Sequence, residues 1–137
     1  MVAARGRSIE EILELARLRL HRLDPAQAHR AMRAGAILVD TRPQAQRQAQ
    51  GSVPGALLVE RNALEWRLDP RSDARLPEAS GYDVRPIIMC SEGYASSLAA
   101  ASLHDLGLRR ATDLIGGFRA WAEAGLPVLA AEQLREG

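Results

Sequence analysis

The residue with the clearest capacity for chemistry is Cys90, the single cysteine among 137 residues. It directly follows the apolar run 86–89, which predicts a buried strand, and it precedes a helical pattern. A loop that turns from a strand into a helix directs several backbone N–H groups toward one point, and the helix N-terminus adds positive potential. Both effects favour thiolate over thiol, and Gly93 permits the tight backbone of such a turn. We therefore expect a nucleophilic sulfur that faces an anion.

A second interpretation of Cys90 stays open from the residues alone. A cysteine that follows an Ile-Ile-Met run is often a small buried hydrophobic side chain without reactivity. The position after a predicted strand favours a site, because ligands of open α/β sheets bind beyond the carboxyl ends of the strands. His21, His29 and His104 have no metal-ligand spacing to one another or to Cys90, so no metal is predicted.

The elements that position Cys90 alternate between strands and helices. This alternation predicts an α/β fold with three layers, in which helices flank a parallel central sheet on both faces. An extra N-terminal helix over 8–20, capped by Ser8 and Glu11, either packs on the domain as an extension or offers an apolar stripe to a partner. We also expect Ser96 or Ser97 to cap the helix after the loop. The predicted strands are 36–40, 57–59, 86–89 and 112–115, and the other predicted helices are 25–33, 61–68, 97–106 and 118–124.

Composition excludes several classes of function. All 18 basic residues are arginine, so a Schiff base on lysine is impossible, and a net charge of +1 gives no sign of nucleic-acid binding. One cysteine allows neither an internal disulfide nor a four-cysteine zinc site. No apolar run is long enough for a membrane span, and the chain starts with a charged helix rather than an apolar signal segment. These features favour a cytoplasmic protein.

Three stretches of the sequence, in order and at similar spacing, resemble the rhodanese-like domain. Residues 37–42 and 51–56 resemble the family's strand-Asp-x-Arg and Gly-His-Ile-Pro-Gly-Ala signature, with Ser52 in place of the histidine. Residues 90–96 resemble its active-site loop. Residues 116–121 and 125–128 are similar to its closing Gly-Gly-x-x-x-Trp and Gly-x-Pro. The domain organisation that follows is a helical extension at 1–22, a rhodanese-like domain at 23–130 and a C-terminal tail at 131–137.

The resemblance implies a sulfurtransferase that needs no cofactor. Cys90 would take the outer sulfur of a small donor, thiosulfate or a persulfide, and hold it as a persulfide. A thiophilic acceptor, either a thiol or a protein partner, would then remove that sulfur. The loop's backbone N–H groups would stabilise the outer sulfur. The residues implied as substrate-binding are Ser91, Glu92, Gly93, Tyr94, Ala95 and Ser96.

The loop departs from the family pattern in its charge. In members active on thiosulfate the position of Ser91 is often basic, and the position of Ala95 is often basic or hydroxylic; Glu92 adds a carboxylate. Because thiosulfate is a dianion, we expect it to be a poor substrate and the donor to be a less charged persulfide. Arg61 or Arg67 could face the pocket and replace the missing cation, with Arg67 as the named candidate, whereas Arg42, paired with Asp40, is expected to be structural.

Two other functions and several features stay open. A cysteine phosphatase or arsenate reductase needs Cys-x5-Arg, and the corresponding position here is Ser96. A binding or regulatory module with little turnover is the second alternative, and the retained Cys90 argues against it. Trp66 and Trp121 are predicted to lie in the core, and Tyr94 either shapes access to the sulfur or only fills space. The sequence does not give the oligomeric state.

Overall fold

The computed structural model describes residues 6–130, so the predicted tail at 131–137 lies outside the described residues. None of the described helices is long and apolar enough to cross a membrane. A 3-10 turn, Arg61–Ala63, precedes the fourth helix. The helices are α1 (Ile9–Leu18), α2 (Pro25–Arg33), α3 (Gln44–Gln50), α4 (Leu64–Leu68), α5 (Ala95–Asp105) and α6 (Gly117–Glu123), and the strands are β1 (Ile37–Asp40), β2 (Leu57–Leu58), β3 (Pro86–Met89) and β4 (Thr112–Asp113).

The four strands form one parallel sheet in the order β2-β1-β3-β4. Leu23 extends the sheet beyond β4, since its N–H donates to the Asp113 carbonyl and its carbonyl accepts from the Ile115 N–H. Because all strands are parallel, their carboxyl ends lie along one edge of the sheet. Cys90 follows the interior strand β3 at that edge, where ligands of such sheets bind.

Alternate side chains of the interior strands enter two separate hydrophobic cores. Val39 and Ile88 pack with Leu103 of α5 and the buried leucines of α4 on one face. Leu38 and Ile87 pack with Trp121 of α6 and the buried face of α2 on the other. The period-two alternation of a strand produces this division, and it makes the sheet the middle of three layers. The predicted three-layer α/β class is confirmed.

The N-terminal helix α1 is present and packs against α5. Ser8 caps it, and Ser8 and Glu11 exchange the two hydrogen bonds of a capping box, as predicted. Ala16 within α1 and Leu20 just beyond it are buried against the domain. Several apolar side chains of α1 remain exposed, among them Leu18, so only part of its apolar surface is used for packing.

Two local predictions were wrong for clear physical reasons. Trp66 is 62% exposed, because α4 is a single short helical turn that buries Leu64 and Leu68 at i and i+4, and position i+2 faces away. Ser96 and Ser97 lie inside α5 rather than at its cap. Their hydroxyl groups are buried, and both donate to the Asp113 carboxylate instead of accepting from a helix N–H.

Candidate active site

The loop from β3 to α5 holds the sulfur and backbone donors close together. The N–H of Gly93 donates to Cys90 Sγ over 3.2 Å, and Cys90 is partly buried. The N–H groups of Ala95 and Ser96 precede the first hydrogen bond of α5, which the Ser97 N–H donates to the Tyr94 carbonyl over 3.1 Å. The arrangement can stabilise negative charge at the sulfur and on an atom bound to it.

The turn between β4 and α6 supports this loop from behind. The Phe118 N–H donates to the Cys90 carbonyl over 2.8 Å, and the Arg119 N–H donates to the Ser91 carbonyl over 3.1 Å. A Cβ on Gly93, whose φ is +89°, would lie 2.6 Å from the backbone nitrogen of Gly116. The two backbones therefore approach so closely that only glycine fits, which fixes the loop against a rigid partner.

A pocket of about 500 Å³ opens above Cys90. Of the predicted site residues, Gly93, Ser96 and Arg67 do not line it. The exposed ring of Tyr94 does, so this side chain borders the entrance and is not packed in the core. The lining consists of Thr41, Arg42, Pro43, Gln46, Glu60, Arg61, Asn62, Cys90, Ser91, Glu92, Tyr94 and Ala95.

Arg42 lies in a buried network of hydrogen bonds. Its guanidinium is buried and forms two hydrogen bonds with the Asp40 carboxylate, at 3.0 and 2.7 Å. It also donates to Gln50 Oε1 and to the Gly51 carbonyl, and it lies 4.1 Å from the centre of the Phe118 ring. These contacts join the end of β1 to α3 and α6. The Arg42 guanidinium is therefore already engaged by partners within the protein.

Of the two candidate arginines, Arg61 lies at the pocket and Arg67 does not. Arg67 donates to the Ala74 carbonyl and stays outside the lining, whereas Arg61 is part of it. The Arg61 guanidinium contacts both carboxylate oxygens of Glu65 at 2.9 Å. Among the described residues that line the pocket, no cation is unpaired, since Arg42 and Arg61 both have carboxylate partners.

The charge of Glu92 is partly offset by a residue that sequence reasoning missed. Arg119, at the start of α6, forms an ion pair with Glu92 Oε2 over 2.8 Å. Both side chains are more than half exposed, so the pair screens the carboxylate only weakly. The loop's expected negative charge is therefore reduced but not removed. The two residues are far apart in sequence, and no local pattern signals the pairing.

A buried polar cluster behind the loop was also missed. Asp113 is fully buried on β4 and accepts from the Ser96 and Ser97 hydroxyls at 2.8 Å each. Arg22 donates to both oxygens of the same carboxylate, at 2.8 and 3.2 Å. A carboxylate in an apolar strand signals a need for a cationic partner. The partner lies 91 residues earlier, however, and nothing local identifies it.

Neither the histidines nor the carboxylates form a metal site in residues 6–130, where no cluster could hold an ion. His104 contacts the Ala111 carbonyl over 2.7 Å, and His29 packs edge-on against Trp121. Trp121 itself is buried, as predicted. Ser52, which replaces the family histidine, has a buried hydroxyl without a hydrogen-bond partner within the described part of the chain.

This chain belongs to the rhodanese-like domain family, whose model matches residues 24–124. The thiosulfate sulfurtransferase GlpE of Haemophilus influenzae is 32% identical over 106 residues, covering 77% of this chain and 91% of the relative. A sulfurtransferase of Allochromatium vinosum is 38% identical over 96 residues, covering 70% and 80% respectively. The predicted family is confirmed, and its curated relatives share the general enzyme class of sulfurtransferases.

Solved structures agree on the fold. A Rhodopseudomonas palustris protein, described as of unknown function and a possible tyrosine phosphatase, matches with a TM-score of 0.82 and 30% identity, covering 91% of this chain and 96% of that chain. A thiosulfate sulfurtransferase from Pseudomonas aeruginosa matches with a TM-score of 0.63 and 26% identity. That match covers 80% of this chain and 19% of the other.

Proposed function

We propose that the protein is a sulfurtransferase that carries a sulfane sulfur as a persulfide on Cys90. The observation that carries this proposal is the Gly93 N–H directed at Cys90 Sγ over 3.2 Å, beside an open pocket. The relatives named as sulfurtransferases support the same class of reaction. The bound substrate would lie between the sulfur and the lining residues, with Ser91 and Tyr94 at the entrance.

The reaction is a double displacement that needs no oxidant or metal. The Cys90 thiolate attacks the outer sulfur of the donor R–S–SH, and the donor S–S bond breaks as R–S⁻ leaves with its electron pair. A new Sγ–S bond now holds the sulfur, and the loop's N–H groups stabilise its charge. A thiol or protein acceptor then attacks the outer sulfur, and the thiolate of Cys90 is released. With thiosulfate as donor, sulfite is the leaving group.

The preferred donor in this proposal is a persulfide of low charge rather than thiosulfate. The two arginines that line the pocket are paired with carboxylates, and the pocket also contains Glu60 and Glu92. A dianion would meet like charge there without a free guanidinium to bind it. The name of the Haemophilus relatives supports thiosulfate instead. Donor specificity is therefore the property to measure.

Steady-state sulfur transfer to cyanide should separate the two donors. We expect cysteamine persulfide, whose ammonium group offsets the persulfide charge, to give a kcat/KM at least about tenfold above that of thiosulfate, equivalent to about 1.4 kcal/mol. Glu92→Gln should lower the KM for thiosulfate severalfold and leave that for the persulfide unchanged. Glu123→Gln is the matched control, because Glu123 also faces Arg119, at 3.9 Å, but does not line the pocket over Cys90. Equal KM changes for both variants would contradict the role of Glu92.

A phosphatase assay tests the first alternative, and the sulfur-transfer assay tests the second. A phosphatase would need a guanidinium six positions after Cys90. That position is Ser96, which is buried and donates its hydroxyl hydrogen bond to the Asp113 carboxylate. We expect no hydrolysis of p-nitrophenyl phosphate, and turnover of that compound would favour the phosphatase. A binding module would show no transfer from either donor and no effect of Cys90→Ser.

A further inference from the structure

Two arginines from the segment before α2 contact the backbone of the active-site loop. Arg17 Nη2 donates to the Gly93 carbonyl over 2.9 Å, and Arg22 Nη2 donates to the same oxygen over 3.0 Å. We call Arg17 and Arg22 the guanidinium pair. Both residues precede the 24–124 region that matches the family model, so the contact comes from outside the matched domain.

The guanidinium pair is itself held in place by buried groups. Arg17 Nε donates to Ser97 Oγ over 3.0 Å, while Arg22 forms an ion pair with the fully buried Asp113. Ser97 also donates to Asp113, which links both arginines to one carboxylate. Leu23, the next residue, pairs with β4 as an additional strand position. The donors therefore have fixed positions relative to the sheet, and the loop is the element they restrain.

A carbonyl that is held outward determines the direction of the next N–H. In a planar trans peptide the C=O and N–H point in opposite directions, so the contacts on the Gly93 oxygen turn the Tyr94 N–H to the other side of the backbone. The adjacent peptide already directs the Gly93 N–H at Cys90 Sγ. Two positive charges on the Gly93 oxygen also polarise this peptide, which strengthens its N–H as a donor.

We propose that Arg17 and Arg22 are positioning residues of the sulfur-transfer site, and that residues 8–22 are therefore a working part of it. They act through the Gly93–Tyr94 peptide, whose N–H would bind the outer sulfur of the persulfide. This inference rests on the proposed function. Arg17 also lies 5.7 Å from the centre of the Tyr94 ring, which adds a second restraint on the same residue.

Arg17→Gln is the test, because removing Arg22 would leave Asp113 buried without its cation. We expect persulfide formation at Cys90 to slow about tenfold, the scale of one lost charge-assisted hydrogen bond. The pH profile of Cys90 alkylation by iodoacetamide should move to higher pH, while the thermal midpoint changes little. Arg17→Lys should restore part of the rate. Arg19→Gln is the matched control, because Arg19 pairs with the exposed Asp105 and does not contact the loop.

The outcomes separate this inference from the function on which it rests. If Arg17→Gln and Arg19→Gln have the same rate and alkylation profile, the positioning role is refuted. If the wild-type chain forms no persulfide but Arg17→Gln still shifts the alkylation profile, the positioning role stands and the sulfurtransferase proposal fails. Should Arg17→Gln not fold, Arg17→Lys compared with Arg19→Lys decides the question by the same two measurements.

Discussion

At the scale of single residues, the site depends on how closely two loops approach. Gly93 carries the N–H that contacts the sulfur, and its position is set by the backbone of Gly116 behind it. A Cβ on Gly117 would in turn meet the Cys90 carbonyl. The glycines similar to the family's closing Gly-Gly thus have a steric reason, since they allow α6 to begin directly against the active-site loop.

Gly93→Ala should damage both stability and reactivity. The substitution places a Cβ 2.6 Å from Gly116 N at a φ of +89°. We expect unfolding to become easier by roughly 3 kcal/mol, since backbone strain and a clash add together. Gly55→Ala is the control, because Gly55 has a φ of +80° with nothing within 4 Å.

The control should lose only about 1–2 kcal/mol, the cost of a left-handed backbone alone. Urea unfolding of both variants measures the difference, and alkylation of Cys90 reports the loop. Similar losses of stability in the two variants would show that the approach to Gly116 is not a constraint.

At the scale of elements, α5 joins the catalytic loop to the rest of the molecule. Its first turn buries Ser96 and Ser97 against Asp113, and α1 packs along its length. Near its middle, Ser102 donates to Glu65 of α4. The helix is therefore tied to its neighbours by polar contacts at two levels as well as by the apolar core.

The Glu65 contact should make stability depend on pH. Burial acts to raise the pKa of Glu65, but hydrogen bonds from Ser102 and Arg61 oppose it and bring the pKa below its ordinary value. Because the pKa of Glu65 is lower in the folded state, its ionised carboxylate contributes fully to the free energy of unfolding above the unfolded-state pKa of about 4.3. That contribution is lost as the pH falls through the folded-state pKa.

Glu65→Gln should therefore lower the free energy of unfolding by roughly 0.5 kcal/mol at pH 7. Near pH 3, where the carboxylate is protonated, the substitution should change it by almost nothing. Thermal unfolding between pH 7 and pH 3 measures the change. Glu78→Gln, at an exposed position, is the control and should run parallel to the wild type. A constant offset of Glu65→Gln across the whole range would mean that the carboxylate's charge plays no part.

At the scale of the whole molecule, the sequence predicted the layers and the loop around Cys90. It did not predict the long-range contacts that hold this loop in place. The alternation of elements and the motif around Cys90 are local patterns, and both the fold class and the family were confirmed from them. The contacts from Arg17 and Arg22 to Gly93 span 76 and 71 residues. Periodicity and capping patterns are local in sequence, so they do not predict such a contact, which forms only once the sheet has brought the two segments together.

Removing residues 1–20 should destabilise the domain. Ala16 and Leu20 would no longer cover α5, which costs about 3 kcal/mol of apolar burial, and Arg17 would be lost. Stability, solubility and oligomeric state of the truncated chain measure the effect. Removal of residues 1–6 is the control, since it leaves the Ser8 cap in place. If all three properties stay the same without residues 1–20, the helix neither packs nor serves a partner.

Intact-mass measurement reports whether Cys90 carries a transferable sulfur. The purified chain and its Cys90→Ser variant are incubated with thiosulfate or glutathione persulfide. Their intact masses are then measured by mass spectrometry before and after addition of cyanide. Because Cys90 is the single thiol, a gain has one possible site. We expect a gain of one sulfur atom that cyanide reverses and that the variant lacks. No gain from either donor, or an equal gain in Cys90→Ser, would contradict the claim.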